Sequence, residues 1–352
     1  MKKKFLALML SALMIGTTAC GGSSGKKDDT SKNMQANEEV TGKIRIYTSM
    51  YEDIIANMKP ALKKKFPNCE IEFFQGGTGT LQTKIAGEID AGKLACDIIM
   101  VAEPSYAYEL KEKKVVHKFD IENKDKLAFE YDKEGYWYPV RISNMVLAYN
   151  PEKTKKEDLA QTFKEFAEKE SLTGKISMSD PLKSGTALAA ISGLKDKYKD
   201  EYFTNLAKRK VAIEAGSVAL TKLETGEMDE LMILEESVLK KRQDDNSSLE
   251  VIYPKDGTIV VPSPIMVVDE KLTENKNTKA AEAISKWFLS EEGQKYIVKG
   301  WMHSVLKDFP EVPYDAIKTS EITSNSINVK WEQLVKDRDS LRKMFTDTIG
   351  KK

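Results

Sequence analysis

Four short polar stretches carry residue types able to grip a small solute: Thr48-Ser49-Met50-Tyr51, Gly76-Gly77-Thr78-Gly79-Thr80, Ser184-Gly185-Thr186 and Glu235-Glu236-Ser237. The second and third stand before helical patterns, in "QGGTGTLQTK" and "DPLKSGTALAA". Glycines and hydroxyls at a helix start leave backbone N–H groups free at the positive end of the dipole, which favours an anion. The same groups serve as a plain helix cap, and both readings stand at this point. Arg141, in "YPVRISNM", adds a fork of donors that can reach an oxyanion. A hinge salt bridge is its alternative role.

Catalytic chemistry finds less support. "GGTGTLQTK" does not end in Gly-Lys-Ser/Thr and lacks the third glycine of a dinucleotide fingerprint. The chain has two histidines, His117 and His303. Neither has a Cys, His or carboxylate partner at metal-ligand spacing. Both are expected at the surface or in packing, and no metal or cofactor is expected. No G-x-S-x-G elbow is present. Glu235 and Glu236 read as the end of a strand, where adjacent side chains point to opposite faces. One of the two is therefore expected to face the cleft and the other solvent or a salt bridge, with Glu235 as the candidate ligand contact. Tyr136, Trp137 and Tyr138 are expected to pack between lobes rather than to stack a ligand.

The elements around these loops read as α/β. "KIRIYTS" is a short alternating strand, and Ile54, Ile55, Met58, Leu62 and Phe66 follow at helical spacing. Pro67 closes that helix. "CEIEFF" is a second strand, Leu81, Ile85 and Ile89 mark a helix face, and "CDIIMVA" is a near-continuous apolar strand. Residues 43–102 thus read β-α-β-α-β, an open sheet. A second α/β unit begins after residue 145, through "GKISMSDP", "SGTALAAISGL", "KVAIEA", "SVALTKLETGE" and "ELMILEES". "IVVPSPIMVV" is extended but carries two prolines, so it reads as an edge or a crossover. With 138–149 it forms a pair of connections between two lobes. Ligands of open α/β sheets lie beyond the carboxyl ends of the strands, where all four polar stretches sit.

Bulk composition agrees with two lobes. The chain has 352 residues, with 55 basic and 55 acidic side chains, so no net field recruits nucleic acid. Lys2-Lys3-Lys4, the apolar run Phe5 to Ile15 and "TTACGG" form a secretory signal. Cleavage after residue 19 would remove three lysines and no acids, leaving 52 basic against 55 acidic residues. It would also leave Cys20 at the new N-terminus. That resembles a bacterial lipobox, with Thr17 where Leu is more usual. Residues 21–41 are polar and read as a tether. Cys69 and Cys96 begin two strands that a 2-1-3 order holds about 10 Å apart, beyond disulfide reach, so two buried free thiols are expected.

Seven segments in order, from "IRIYTSMYEDI" and "QGGTGTLQTKIAGEI" through "GKISMSDPLKSGTALAAISGL" to "AISKWFLSEEGQKYI", resemble one family. It is the extracellular family 1 solute-binding proteins of bacterial ABC importers, in the branch of ferric-iron, thiamine, phosphonate and sugar-phosphate binders. The resemblance covers nearly the whole mature chain. It implies a type II periplasmic-binding-protein clamshell, α/β, each lobe a mixed open sheet flanked by helices. The lobes would be 42–143 plus 262–303 and 144–261 plus 304–352, after a signal peptide (1–19) and a lipidated tether (20–41). It implies ligand contacts from Thr48, Ser49, Gly77, Thr78, Ser184, Gly185 and Thr186, to which the residues themselves add Tyr51, Arg141 and Glu235. It also implies delivery to the transmembrane subunits of an ABC permease by a monomer anchored outside the cell membrane through Cys20. The iron members' tyrosine pair is missing after Gly226-Glu227, where "MDELMILEES" stands, and the first loop lacks their His. A small anion, an organic phosphate or phosphonate such as aminoethylphosphonate or a sugar phosphate, is the expected ligand. Ferric iron, thiamine or a polyamine are alternatives within the class. A phosphoester hydrolase is the rival outside it.

Overall fold

The computed structural model describes residues 37–350. The signal peptide, Cys20 and the first part of the expected tether lie outside the described residues. Residues 37–41, its expected end, are docked. The Asn37 N–H donates to the Lys65 carbonyl at 2.6 Å, and Val40 is buried in the first core.

The N-terminal half begins with strand β1 (Gly42–Thr48), helix α1 (Glu52–Lys65), strand β2 (Cys69–Gln75), helix α2 (Thr78–Asp90) and strand β3 (Ile98–Met100). The strands are parallel in the order 2-1-3. Helix α1 has Glu52 and Asp53 in its first turn and Lys63, Lys64 and Lys65 in its last, each complementing the helix dipole. Its apolar stripe, with Ile54, Ile55, Met58 and Leu62, enters the core. Helix α3 (Ser105–Glu112) and strand β4 (Val116–His117) follow. Cys69 and Cys96 are both buried and free.

Strand β5 (Tyr138–Tyr149) is buried along its whole length. The second half follows it: helix α4 (Phe163–Glu168), strand β6 (Ile176–Ser179), helix α5 (Gly185–Lys208), strand β7 (Ala212–Glu214), helix α6 (Gly216–Thr225), strand β8 (Glu230–Leu234), helix α7 (Glu235–Asp244) and strand β9 (Glu250–Ile252). Strand β10 (Ile259–Val268) returns the chain to the first half. Helices α8 (Thr278–Phe288), α9 (Glu291–Lys299), α10 (Thr319–Ser324) and α11 (Trp331–Ile349) complete it.

One sheet runs through both halves, in the order β2-β1-β3-β10-β5-β8-β6-β7. β10 and β5 are its middle and pair antiparallel from Ile259↔Met145 to Ile265↔Tyr138. β10 is thus a crossover, and its proline-bearing part is paired on one side. Its prolines are tolerated because pairing with β3 begins only at Ile265. At Pro262 and Pro264 β10 has β5 alone as partner, and the register slips between Ser263 and Pro264.

The apolar core divides at the same place. One large cluster gathers Ile44, Ile54, Phe66, Ile142 and Ile265, and another gathers Met145, Phe163, Leu188, Val261 and Phe345. Val305, Leu306 and Ile322, beyond the boundary expected at residue 304, pack in the first cluster. Trp137 and Tyr138 are also interior to that half: each is fully buried, and the Tyr138 hydroxyl donates to the Phe119 carbonyl at 2.9 Å. Tyr136 packs on the cluster that holds Trp137. The expectation that these aromatics pack between the lobes is corrected, because the run leading into β5 and the strand's first residue lie in the cores of the first half.

Candidate functional site

A cleft of about 320 Å³ lies where the two halves face each other beyond the strand ends. Four helices begin at it. Gly77 and Thr78 belong to the start of α2, Ser184 to Thr186 to α5, Ala215 and Gly216 to α6, and Glu236 and Ser237 to α7. The N-caps of α2, α6 and α7 make no side-chain cap. Their first-turn N–H groups therefore depend on other partners. On α5, Ser184 Oγ accepts from the Ala187 N–H at 3.2 Å and lies 3.0 Å from the Thr186 hydroxyl. Capping and lining the cleft coexist in this residue.

The halves touch across the cleft. The Gly79 N–H donates to the Lys183 carbonyl at 3.3 Å. Gly185 approaches Thr78 so closely that a Cβ would stand 3.1 Å from its side chain. Tyr51, 40 % exposed at the mouth, has its hydroxyl 3.4 Å from Ser237 Oγ. Outside the mouth, Lys240 pairs with Asp53 at 2.9 Å.

Arg141 is delivered by β5 and is 4 % exposed. One guanidinium nitrogen donates to Ser49 Oγ at 3.0 Å and another to the Met302 sulfur, a weak acceptor, at 3.1 Å. Its Nε is buried with no partner among the described residues. Burial lowers the guanidinium's pKa and the charge of Glu236 opposes that. Such a cation, short of acceptors, suits an incoming anion. Carboxylates share the cleft. Asp180 accepts from the Leu182 N–H at 2.9 Å, and Glu214 is held by Lys222 at 2.5 Å. Glu236, 3 % exposed, accepts from Ser143 Oγ at 2.9 Å.

Ser49, Tyr51, Gly77, Thr78, Arg141, Ser184, Gly185 and Thr186 all line this cleft. Thr48 and Glu235 do not. Thr48 is fully buried, and its hydroxyl accepts from the Met50 N–H at 3.1 Å, closing the turn instead of facing a ligand. Glu235 and Glu236 are not on a strand. β8 stops at Leu234 and both belong to the first turn of α7, about 100° apart around the axis. Glu236 therefore takes the cleft and Glu235 the hinge. There Glu235 accepts from Asn144 at 3.1 Å, lies 2.9 Å from His303 Nε2 and is hydrogen-bonded to Tyr253. His303 is a packing residue, 1 % exposed, with its Nδ1 3.1 Å from the Thr319 hydroxyl. Sequence reasoning also passed over Gln75, Ser143, Asp180, Lys183 and Glu214, which line the cleft. The "SDPLK" stretch before Ser184 was the available signal for Asp180 and Lys183. Among the described residues, no group of three or more His, Cys, Asp or Glu is placed to hold a metal ion, and no helix is long and apolar enough to cross a membrane.

A sheet continuous through two crossing strands, with a polar cleft between two lobes, defines a type II periplasmic-binding-protein fold. A family model for the bacterial extracellular solute-binding proteins matches residues 57–312, and the chain belongs to that family. The family is one of transport proteins that work outside the cytoplasm, taking a small molecule and serving ABC permeases, and its members are not enzymes. The iron-bound HitA of Pseudomonas aeruginosa is similar in fold, with a TM-score of 0.74 at 19% identity over 86% of this chain and 99% of that one. AfuA of Actinobacillus pleuropneumoniae, solved with fructose-6-phosphate, gives 0.75 at 20% identity over 88% and 99%. An ABC-transporter substrate-binding protein of Agrobacterium tumefaciens gives 0.76 at 17% over 88% and 94%. At these identities the likeness is one of fold. No curated protein sequence matches the chain.

Proposed function

We propose that the protein captures a small organic phosphate or phosphonate between its lobes and hands it to an ABC permease. The observation that carries this reading is Arg141. It is a buried guanidinium whose Nε has no partner among the described residues, in a cleft that the starts of α2, α5, α6 and α7 also line. Helix N-termini and a buried arginine fork both favour an oxyanion. Ser49, Thr78, Ser184 and Thr186 add hydroxyls to the same cleft. Asp180 and Glu214 suit the hydroxyls of a sugar or the ammonium of an aminoalkyl tail. Among the described residues lining the cleft, Tyr51 is the single phenol, which favours an organic anion over tyrosinate-bound iron. AfuA was solved with fructose-6-phosphate, a ligand of the proposed class.

Isothermal titration against fructose 6-phosphate, glycerol 3-phosphate, 2-aminoethylphosphonate, thiamine and ferric citrate tests the reading. Tight one-to-one binding of at least one phosphate or phosphonate is expected, with the ligand returned unchanged. Silence across those compounds, with binding of ferric iron, would sink it. The mature protein is proposed to work as a monomer held to the outer face of the cell membrane by a lipid on Cys20. Metabolic labelling with an alkynyl fatty acid should mark the wild type and not Cys20→Ser. Equal labelling of both would refute the anchor.

A further inference from the structure

Arg141 and Glu236 are two buried, oppositely charged side chains in one cleft of about 320 Å³, and each acts electrostatically on the other. Their hydrogen bonds go elsewhere, those of Arg141 to Ser49 and Met302 and that of Glu236 to Ser143. Arg141 and Ser143 are two residues apart on β5, so both side chains stand on the strand face that lines the cleft, and an oxyanion drawn to Arg141 comes near the Glu236 carboxyl that Ser143 holds. Two anionic oxygens in contact cannot both stay ionised, and one proton between them converts repulsion into a charge-assisted hydrogen bond.

We propose, resting on the anionic ligand proposed above, that Glu236 is a ligand-binding residue and shares one proton with the ligand's oxyanion in the closed cleft. Above neutral pH a phosphate ester arrives as a dianion and Glu236 as a carboxylate. The pair then takes one proton from solvent, which stays on one of the two oxygens and bonds the other. Capture is therefore coupled to proton uptake.

The surroundings of Glu236 favour this. Burial pushes its carboxyl up to about 7, Arg141 and the Ser143 hydroxyl pull it down, and Glu235 beside it pushes it up. The charged and titratable groups that act on it are Arg141 from β5, Tyr51 ahead of α1 and Glu235 on α7 itself. Asp180, Lys183 and Glu214 also line the cleft. Among these, Arg141 and Lys183 are the cations, and an arriving phosphate engages the first. The ligand's own charge then raises the proton affinity of Glu236 further.

The test is calorimetry with fructose 6-phosphate and 2-aminoethylphosphonate on wild type, Glu236→Gln and Glu236→Ala, at pH about 6.5, 7.5 and 8.5, in two buffers of different ionisation enthalpy. Thermal melts of the three ligand-free proteins report folding. For the wild type at the highest pH, net uptake approaching one proton is expected. Its affinity should fall by up to about tenfold per pH unit above neutrality. In Glu236→Gln the amide donates permanently, so Glu236-linked uptake disappears and the affinity varies little with pH. Glu236→Ala, which cannot donate, should bind more weakly than Glu236→Gln at every pH. Equal proton counts and equal pH slopes in wild type and Glu236→Gln would overturn the shared proton while leaving the phosphate reading intact. Proton release with tighter binding as pH rises would mean that Glu236 takes a cationic group, and would also overturn it. If neither probe, nor any other phosphate or phosphonate, binds any of the three folded proteins, the proposed function fails and the shared proton with it.

Discussion

Closure of the two lobes can be tested with one methyl group. Gly185 opens α5 and faces the start of α2 across the cleft. A Cβ there would stand 3.1 Å from both Thr78 Cγ2 and Thr78 Oγ1, and 3.2 Å from the Ala102 Cβ. Thr78 cannot swing aside freely, because it is 4 % exposed and its Oγ1 accepts the Ala102 N–H at 3.2 Å. Overpacking of this kind costs about 1–3 kcal/mol. If the contact exists only in the closed form, Gly185→Ala should weaken ligand binding about 5- to 150-fold, at about 1.4 kcal/mol for each factor of ten. The ligand-free protein should melt at the same temperature or slightly higher, since alanine is the better helix former. Calorimetric affinity and a thermal melt without ligand check both halves. Unchanged affinity would show that the lobes do not meet at Gly185 when ligand is bound. A melting temperature lowered in proportion to the lost affinity would show ordinary internal packing rather than a closure contact.

Other expectations follow from the same geometry. Arg141→Ala should weaken binding of an anionic ligand by about 2–5 kcal/mol, as removal of one partner of a buried charged contact does, and calorimetry would read it. Ser184→Ala and Thr186→Ala should each cost about 1–3 kcal/mol of binding if the hydroxyls donate to the ligand, whereas loss of stability alone would confine Ser184 to its cap. Glu230 is fully buried, its Oε2 accepts from the Ala160 N–H at 3.1 Å and its Oε1 has no partner among the described residues. Burial pushes that carboxyl up to about 8 from an ordinary value of 4.5. Because the folded value is raised, stability from this group is full below pH 4.5 and is lost as pH rises toward 8. The loss is on the order of 3 kcal/mol by neutral pH. Denaturant unfolding of Glu230→Gln should show a shallower fall over that range, and parallel curves for wild type and variant would refute the assignment.

Much of the fold was legible because its signals are local. The sequence places the two crossings at 138–149 and 259–268, and β5 and β10 occupy those residues. Their apolar runs, with prolines in the second, fit strands buried on both faces and paired unevenly. The alternating strand and helix patterns gave an open α/β sheet, and the strands stand in the order 2-1-3 that the cysteine argument assumed. The glycine-hydroxyl loops before α2 and α5 sit at the cleft because strand ends and helix starts meet there. What failed depended on where one element stops. "ELMILEES" reads as an uninterrupted strand, yet the chain turns at Leu234, and the change from alternating to helical spacing exchanges the places of Glu235 and Glu236. Thr48 looked like its neighbour Ser49, but an inward hydroxyl closing a turn is set by the turn, not by residue type. The aromatic run at 136–138 carried no sign of which half would bury it. Asp180, Lys183 and Glu214 were visible as charges, but only the approach of the second lobe brings them to the cleft.

The most direct measurement of the central claim is the content of the cleft itself. Protein purified without added ligand is denatured, and the released small molecules are examined by phosphorus NMR and mass spectrometry, with metal analysis of the same sample. A phosphate ester or phosphonate at a substantial fraction of the protein concentration, lost in Arg141→Ala, is the expected result. A sample that carries stoichiometric iron and no phosphorus compound would contradict the proposed ligand class.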